Sequence, residues 1–144
     1  SNMYVPGTDG GKMSKSKNNT IDVFLPEKQL RKQVMSIATD STSLEEPKDP
    51  DNCTVFSLYS MIADEAAVKN MRQQYESGGF GYGHAKQALF EALLEKFNAA
   101  RTDFDQLMED PKQMDDILQQ GAQKAKSIAD EVLSRVRSRL GLLK

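Results

Sequence analysis

From Pro26 onward the apolar residues recur at steps of three and four, the period of helices that bury one face. Leu30, Val34 and Ile37 follow a proline suited to a first helical turn, and the Asp40-Ser41-Thr42 cluster breaks the pattern. The spacing therefore predicts a helix over 26–39. Residues 44–51 hold two prolines and five charges, a solvated connection. Asp51 or Asn52 is then placed to cap a second helix, with Val55, Leu58, Tyr59 and Ile62 along one face. Val68, Met71 and Tyr75 predict a third helix, stopping at Gly78-Gly79 in a left-handed cap. From His84, the series Leu89, Leu93, Phe97, Ala100, Phe104 and Leu107 has the spacing of a seam along a long helix. Asp110-Pro111 ends that helix and opens another, which carries Met114, Ile117, Gly121, Ala125, Ile128, Val132 and Val136 and releases at Gly141. The expected fold is all-α: an antiparallel bundle of about five helices, with the two long C-terminal ones as its spine.

The first 25 residues lack this periodicity. Ser1-Asn2 has the look of a cleaved expression tag and is set aside. The expected organisation is thus a mobile loop segment over 1–25 and a helical domain over 26–144.

A length of 144 residues suits one small domain, and 38% hydrophobic with 28% charged residues is the composition of a folded globular chain. No apolar run is long enough to span a bilayer. One cysteine, Cys53, excludes an internal disulfide, and one histidine, His84, leaves no metal cluster or cysteine–histidine pair to assemble. Cys53 is expected as a small buried residue and His84 as a helix N-terminal one. Gly78-Gly79-Phe80-Gly81-Tyr82-Gly83 is no dinucleotide fingerprint, since His84 stands where glycine would be needed and no strand precedes it.

The net charge of −2 hides an uneven distribution. Seven acidic residues against Lys48 alone occupy 40–65, whereas six basic residues against Asp130 and Glu131 occupy 124–144. RNA, if bound, should meet the basic end.

The chemistry concentrates in Lys12-Met13-Ser14-Lys15-Ser16. Two ammonium groups three residues apart, on a stretch with almost nothing to bury, suit a polyanion such as a nucleotide triphosphate. Lysine is a compact point charge on a flexible stem, fit to follow negative charge as it develops on a departing pyrophosphate. Gly7, Gly10 and Gly11 permit close backbone approach to a ligand, and Ser14 and Ser16 add hydroxyl donors. From composition alone, a solvated basic tail explains the stretch equally well.

The same five residues match the signature loop of class I aminoacyl-tRNA synthetases, with Val-Pro-Gly-Thr-Asp-Gly-Gly before them and Lys-Asn-Asn-Thr-Ile after. Ile37-Ala38-Thr39-Asp40-Ser41, Asp49-Pro50, Cys53 and Gly81-Tyr82-Gly83 followed by Lys86 extend the match. From that loop to its end, the chain resembles the tryptophanyl-tRNA synthetases, with the tyrosine enzymes as nearest rivals. The resemblance implies a C-terminal part, its loop joining a Rossmann-type catalytic domain to a helical domain that reads the tRNA anticodon. It implies that Lys12 and Lys15 act on the ATP phosphates, Lys15 most directly on the pyrophosphate, while Met13, Ser14 and Ser16 position the loop and the adenosine.

Magnesium on the phosphates, L-tryptophan, tRNA(Trp), a homodimeric parent and a cytoplasmic location follow from the same resemblance, as does inactivity of this part alone. Lys17 departs from the pattern, since many relatives have no third lysine there. A freestanding helical RNA-binding module and a purely structural bundle are the alternatives of other classes.

Overall fold

The computed structural model describes residues 4–142, so the tag reading of Ser1-Asn2 lies outside the described residues. Among the described residues, five α-helices follow one 3-10 turn: α1 (Glu27–Met35), α2 (Thr54–Ile62), α3 (Glu65–Ser77), α4 (Tyr82–Glu109) and α5 (Pro111–Arg139). The all-α class is as expected from the periodicity. The chain divides into two compact units, 1–101 and 102–144.

In the first unit, Leu30 and Val34 of α1, Val55, Phe56 and Leu58 of α2, Met71 and Tyr75 of α3, and Ala85, Leu89, Phe90 and Leu93 of α4 share one buried core with Ile37 and Cys53. Tyr75 is fully buried at its centre, with the rings of Phe56, Phe80 and Tyr82 at 5.7, 5.8 and 6.1 Å. The aromatic residues of the glycine-rich stretch thus pack on the core. Cys53 is buried as expected, its sulfur 3.5 Å from the Tyr75 hydroxyl. His84 lies in the first turn of α4, its ring 5.8 Å from that of Phe80.

Three helix ends differ from the periodicity. First, α1 stops at Met35 rather than at 39, because Ala38 turns its N–H to the Thr8 carbonyl at 2.7 Å; Ile37 still reaches the core at 1% exposure. Second, neither Asp51 nor Asn52 caps α2. Cys53 occupies that position without a side-chain capping bond; the Asp51 carboxylate instead accepts from the Arg72 guanidinium at 2.6 Å, and the Asn52 amide donates to Asp49 Oδ2 at 2.6 Å. Third, α3 ends at Gly78 as expected, but with φ 73° and ψ 175°. That is the extended region of positive φ, open essentially to glycine alone, and not a left-handed turn. A Cβ there would also collide with the Glu45 carbonyl oxygen. Asp64 and Asp110 do cap α3 and α5, accepting from Ala67 N and Gln113 N at 2.7 and 3.2 Å.

The connection before α2 is held by Lys48, which is 4% exposed. Its ammonium donates to the Ser43 and Glu46 carbonyls at 2.8 and 3.1 Å and lies 5.4 Å from the Tyr82 ring centroid. The acidic stretch around it therefore has its one cation turned inward.

In the second unit, α5 buries no residue, and Ile117, Ile128, Val132 and Val136 are all exposed. The seam expected along α4 is buried only at Leu89 and Leu93; Phe97 is half-buried, while Ala100 and Phe104 are exposed. The periodicity located the apolar stripe correctly, but the stripe of α5 is not core.

Candidate functional site: the lysine loop

The loop is built by backbone bonds that close it like a hairpin. Pro6 and Lys12 form an isolated antiparallel bridge, Met13 N–H donates to the Val5 carbonyl at 3.0 Å, and Gly7 N–H donates to the Gly11 carbonyl at 2.7 Å. Lys15–Lys17 then form the 3-10 turn, ended by Asn18 at φ 52° with its N–H on the Lys15 carbonyl at 3.1 Å.

One residue ties these pieces together. Asn19 is 2% exposed, and its amide donates to Asp9 Oδ1 at 2.7 Å and to the Lys12 carbonyl at 3.1 Å. Its side-chain oxygen accepts from Ser14 N–H at 2.7 Å, and its backbone carbonyl accepts from Thr8 N–H at 2.9 Å. An amide side chain presents donors and an acceptor at once, which is what a loop with both kinds of unpaired backbone group requires. Gly7 is the close neighbour: a Cβ on it would meet Asn19 atoms at 2.5 Å. The missing side chain of Gly7 is what lets Asn19 in. The Asn19 amide and the Gly11 N–H hold the Asp9 carboxyl below the usual carboxylate range.

Around this centre, Lys12, Lys15 and Lys17 have exposed side chains, and neither Lys12 nor Lys15 makes an ion pair with another described residue. Two ammonium groups are thus anchored through their backbone and unneutralised at their tips. The Ser14 and Ser16 hydroxyls bond each other at 2.8 Å, bracing the turn that carries Lys15. Met13 faces the other way, into an apolar groove shared with α2 and α4. The five motif residues therefore divide into two cations presented outward, two hydroxyls tied together and one apolar side chain turned in.

The loop is also fastened to the helices. Arg101 of α4 donates to the Val23 carbonyl and, at 2.9 Å, to the Leu25 carbonyl, and Asp22 N–H donates to Gln33 Oε1 at 2.9 Å. Sequence reasoning missed Asn19 and Arg101. An asparagine pair directly after a glycine- and lysine-rich stretch, with Asp9 upstream, was the available signal for Asn19; nothing in the local pattern marks Arg101.

The other stretches that carried the resemblance converge as well. Asp40, Asn52, Cys53 and Tyr82 line one small cleft, in which the Tyr82 hydroxyl donates to Asp40 Oδ1 at 2.8 Å. Burial and the hydrogen bond to Asp40 push the Tyr82 phenol up to about 12, and the bonds from Thr42 and then Tyr82 hold Asp40 below its ordinary range. These residues fix the turns between helices, and nothing there is arranged as a nucleophile and base.

The geometry of the loop is thus an exposed pair of lysines braced on a helical unit, and the comparisons with known proteins give the class of protein that carries it. The family model for class I tRNA synthetases (W and Y) matches residues 1–98, and the chain belongs to that family. Among its relatives are tryptophan–tRNA ligases of Campylobacter jejuni, 47% identical over 96% of this chain, and of Rhodopirellula baltica, 46% identical over the same share. The chain spans 43% of the length of each. The crystal structure of the Campylobacter jejuni tryptophanyl-tRNA synthetase complexed with ADP and tryptophan superposes with a TM-score of 0.93 at 47% identity, covering 96% of this chain and 44% of that one.

Proposed function

We propose that this chain is the C-terminal part of a tryptophan–tRNA ligase, which activates L-tryptophan with ATP and transfers it to tRNA(Trp). The observation that carries the reading is the pair Lys12 and Lys15, exposed, without ion-pair partners among the described residues, and set by a buried asparagine. In activation, the tryptophan carboxylate attacks the α-phosphorus of ATP, an aminoacyl adenylate forms, and pyrophosphate leaves. Negative charge grows on the leaving oxygens, and two ammonium groups on a braced loop stabilise that growth more than they stabilise bound ATP. Lys15 takes the pyrophosphate most directly; Lys12 takes the ATP phosphates from its place beside the Pro6 bridge. Ser14 and Ser16 hold the turn, and Met13 sets the depth of the loop. Magnesium belongs on the phosphate oxygens, and no side chain of this chain is assigned to it.

The helical part over 26–144 is the tRNA-facing module, with its basic C-terminal stretch toward the anticodon. The parent is a cytoplasmic homodimer in which the remaining part supplies the adenosine and tryptophan pockets. Among the described residues no helix is long and apolar enough to cross a membrane.

Tryptophan-dependent exchange of pyrophosphate into ATP tests the reading. The 144-residue chain alone should show none, and the longer gene product that contains it should show robust exchange. Turnover by the chain alone, at the level of an intact synthetase, contradicts the reading.

A further inference from the structure

The lysine loop leaves Asn19 through residues 20–26, which reach α1 without forming a helix. Ile21, Val23 and Leu25 of this exit segment rest half-buried against the core. Apolar contacts of that kind hold a segment down but have no direction, so they leave its place along the helices loosely set. Hydrogen bonds supply the direction. On one side, Asp22 N–H donates to Gln33 Oε1 of α1 at 2.9 Å, and the Thr8 carbonyl accepts from Ala38, just past α1, at 2.7 Å. On the other side, Nη1 of the half-buried Arg101 on α4 donates to the Val23 carbonyl and, at 2.9 Å, to the Leu25 carbonyl. The exit segment is thus bonded to two helices, and these bonds lie within the first unit.

We propose that Arg101 is a positioning residue for the pyrophosphate step: by fixing the exit segment on α4 it sets where Lys12 and Lys15 stand when the triphosphate is bound. This inference rests on the reading above. Three observations carry it. The segment makes a turn in which the Asp22 carbonyl takes the Leu25 N–H at 3.3 Å, and the carbonyls on either side of Phe24 are the two that Arg101 takes. The partners are 78 and 76 positions apart in sequence, so the bond joins remote parts of the chain and is no local turn device. Finally, the side chain suits holding: a guanidinium is planar and charged at every physiological pH, so it keeps two carbonyls in one geometry where a flexible ammonium would let them drift. The loop therefore pairs flexible cations at its tip with a rigid one at its base.

Arg101 and Asn19 act differently. Asn19 bonds the Lys12 carbonyl and the Ser14 N–H, so it sets the shape of the loop from inside. Arg101 bonds the exit segment, so it sets where that shape sits on α4. Without Arg101 the loop keeps its internal bonds and shifts as a unit, carrying both ammonium groups off the phosphate oxygens. A shift of about 1 Å is enough to matter, since misplacement of that size can cost about 100-fold in rate.

A double-mutant cycle tests the role. Arg101→Met, Lys15→Ala and the pair are made in the longer gene product, and tryptophan-dependent pyrophosphate exchange is measured. Arg101→Met alone should lower kcat on the order of 10- to 100-fold, with KM for tryptophan and the circular dichroism unchanged. Arg101→Lys, which keeps a donor for the carbonyls, should lower it less. Once Lys15 is gone, Arg101→Met should cost less than about threefold more, because residues that act through one group are not additive. Losses that multiply in the cycle, or an Arg101→Met enzyme that keeps its kcat, overturn the proposal and leave the functional reading intact. So does loss of the native circular dichroism, which would make Arg101 a support of the whole fold. Amide hydrogen exchange in the 144-residue chain gives a second readout: Arg101→Met should speed exchange at residues 21–25 by about tenfold or more, while Met13 and Ser14, bonded to Val5 and Asn19, keep their rates. Unchanged exchange at 21–25 overturns the proposal. A longer product with no tryptophan-dependent pyrophosphate exchange overturns the functional reading and this inference together.

Discussion

Asn19 shows how much of the site depends on a residue that does no chemistry. It satisfies the Lys12 carbonyl and the Ser14 N–H from a buried position, so removing its amide leaves both groups without partners. Asn19→Ala should cost about 2 kcal/mol by chemical denaturation, the range for stranding buried polar groups, and it should impair pyrophosphate exchange by the longer gene product although the Asn19 side chain is buried. Gly7→Ala should behave similarly, because the new methyl group and Asn19 cannot share the space. Lys48 makes the same point away from the loop: Lys48→Met should lower stability by about 2 kcal/mol through the carbonyls of Ser43 and Glu46.

Acid sensitivity also belongs to single residues. Asp9, Asp40, Glu46, Asp49 and Asp51 are all held below their ordinary values, chiefly by hydrogen bonds that require the carboxylate. A carboxyl with a depressed folded-state value adds stability above its unfolded value, and that stability is lost as pH falls through the folded one. The unfolding midpoint should therefore stay level from neutral pH down to about 5 and fall below about 4. Asp40→Asn should make that fall shallower in a pH series followed by circular dichroism.

At the scale of the element, α4 and α5 carry apolar stripes of the same period with different fates. Leu89 is 1% exposed, and Leu89→Ala should cost about 2–5 kcal/mol, as a large-to-small core change does. Ile128 is 69% exposed, and Ile128→Ala should change the stability of the chain by less than about 0.5 kcal/mol. Comparable losses at both positions would mean that the α5 stripe is covered in solution. Period-3.6 spacing reports that one face is apolar and says nothing about what faces it. For the same reason Val34, Tyr75 and Leu89 could be placed in the core from sequence, whereas the exposure of Val132 and Val136 could not.

Helix ends were legible where a local residue decides them, as at Asp110 and Gly78. They were not legible where a distant partner decides. The Thr8 carbonyl, thirty positions upstream, draws Ala38 out of α1, and Arg72, twenty-one positions downstream, takes the Asp51 carboxylate that would otherwise be free to cap α2.

For the whole molecule, the motif was readable because Lys12, Met13, Ser14, Lys15 and Ser16 are contiguous. The bracing of the motif was not, because Asn19, Asp9 and Gly7 meet only once the chain folds back at the Pro6–Lys12 bridge. The groove behind Met13 was equally hidden, since its walls come from the loop, α2 and α4. The bracing turns a basic stretch into a positioned pair of cations, and that pair carries the tryptophan–tRNA ligase reading.

The most direct test is Lys15→Ala in the longer gene product, with pyrophosphate exchange measured over a range of ATP and tryptophan concentrations. The account predicts a fall in kcat of about 100-fold or more, the scale for removing one preorganised charge from a transition state, with KM for tryptophan little changed and the circular dichroism of the protein unaltered. An exchange rate within about twofold of the unsubstituted enzyme, a difference of only about 0.4 kcal/mol in barrier, would contradict it.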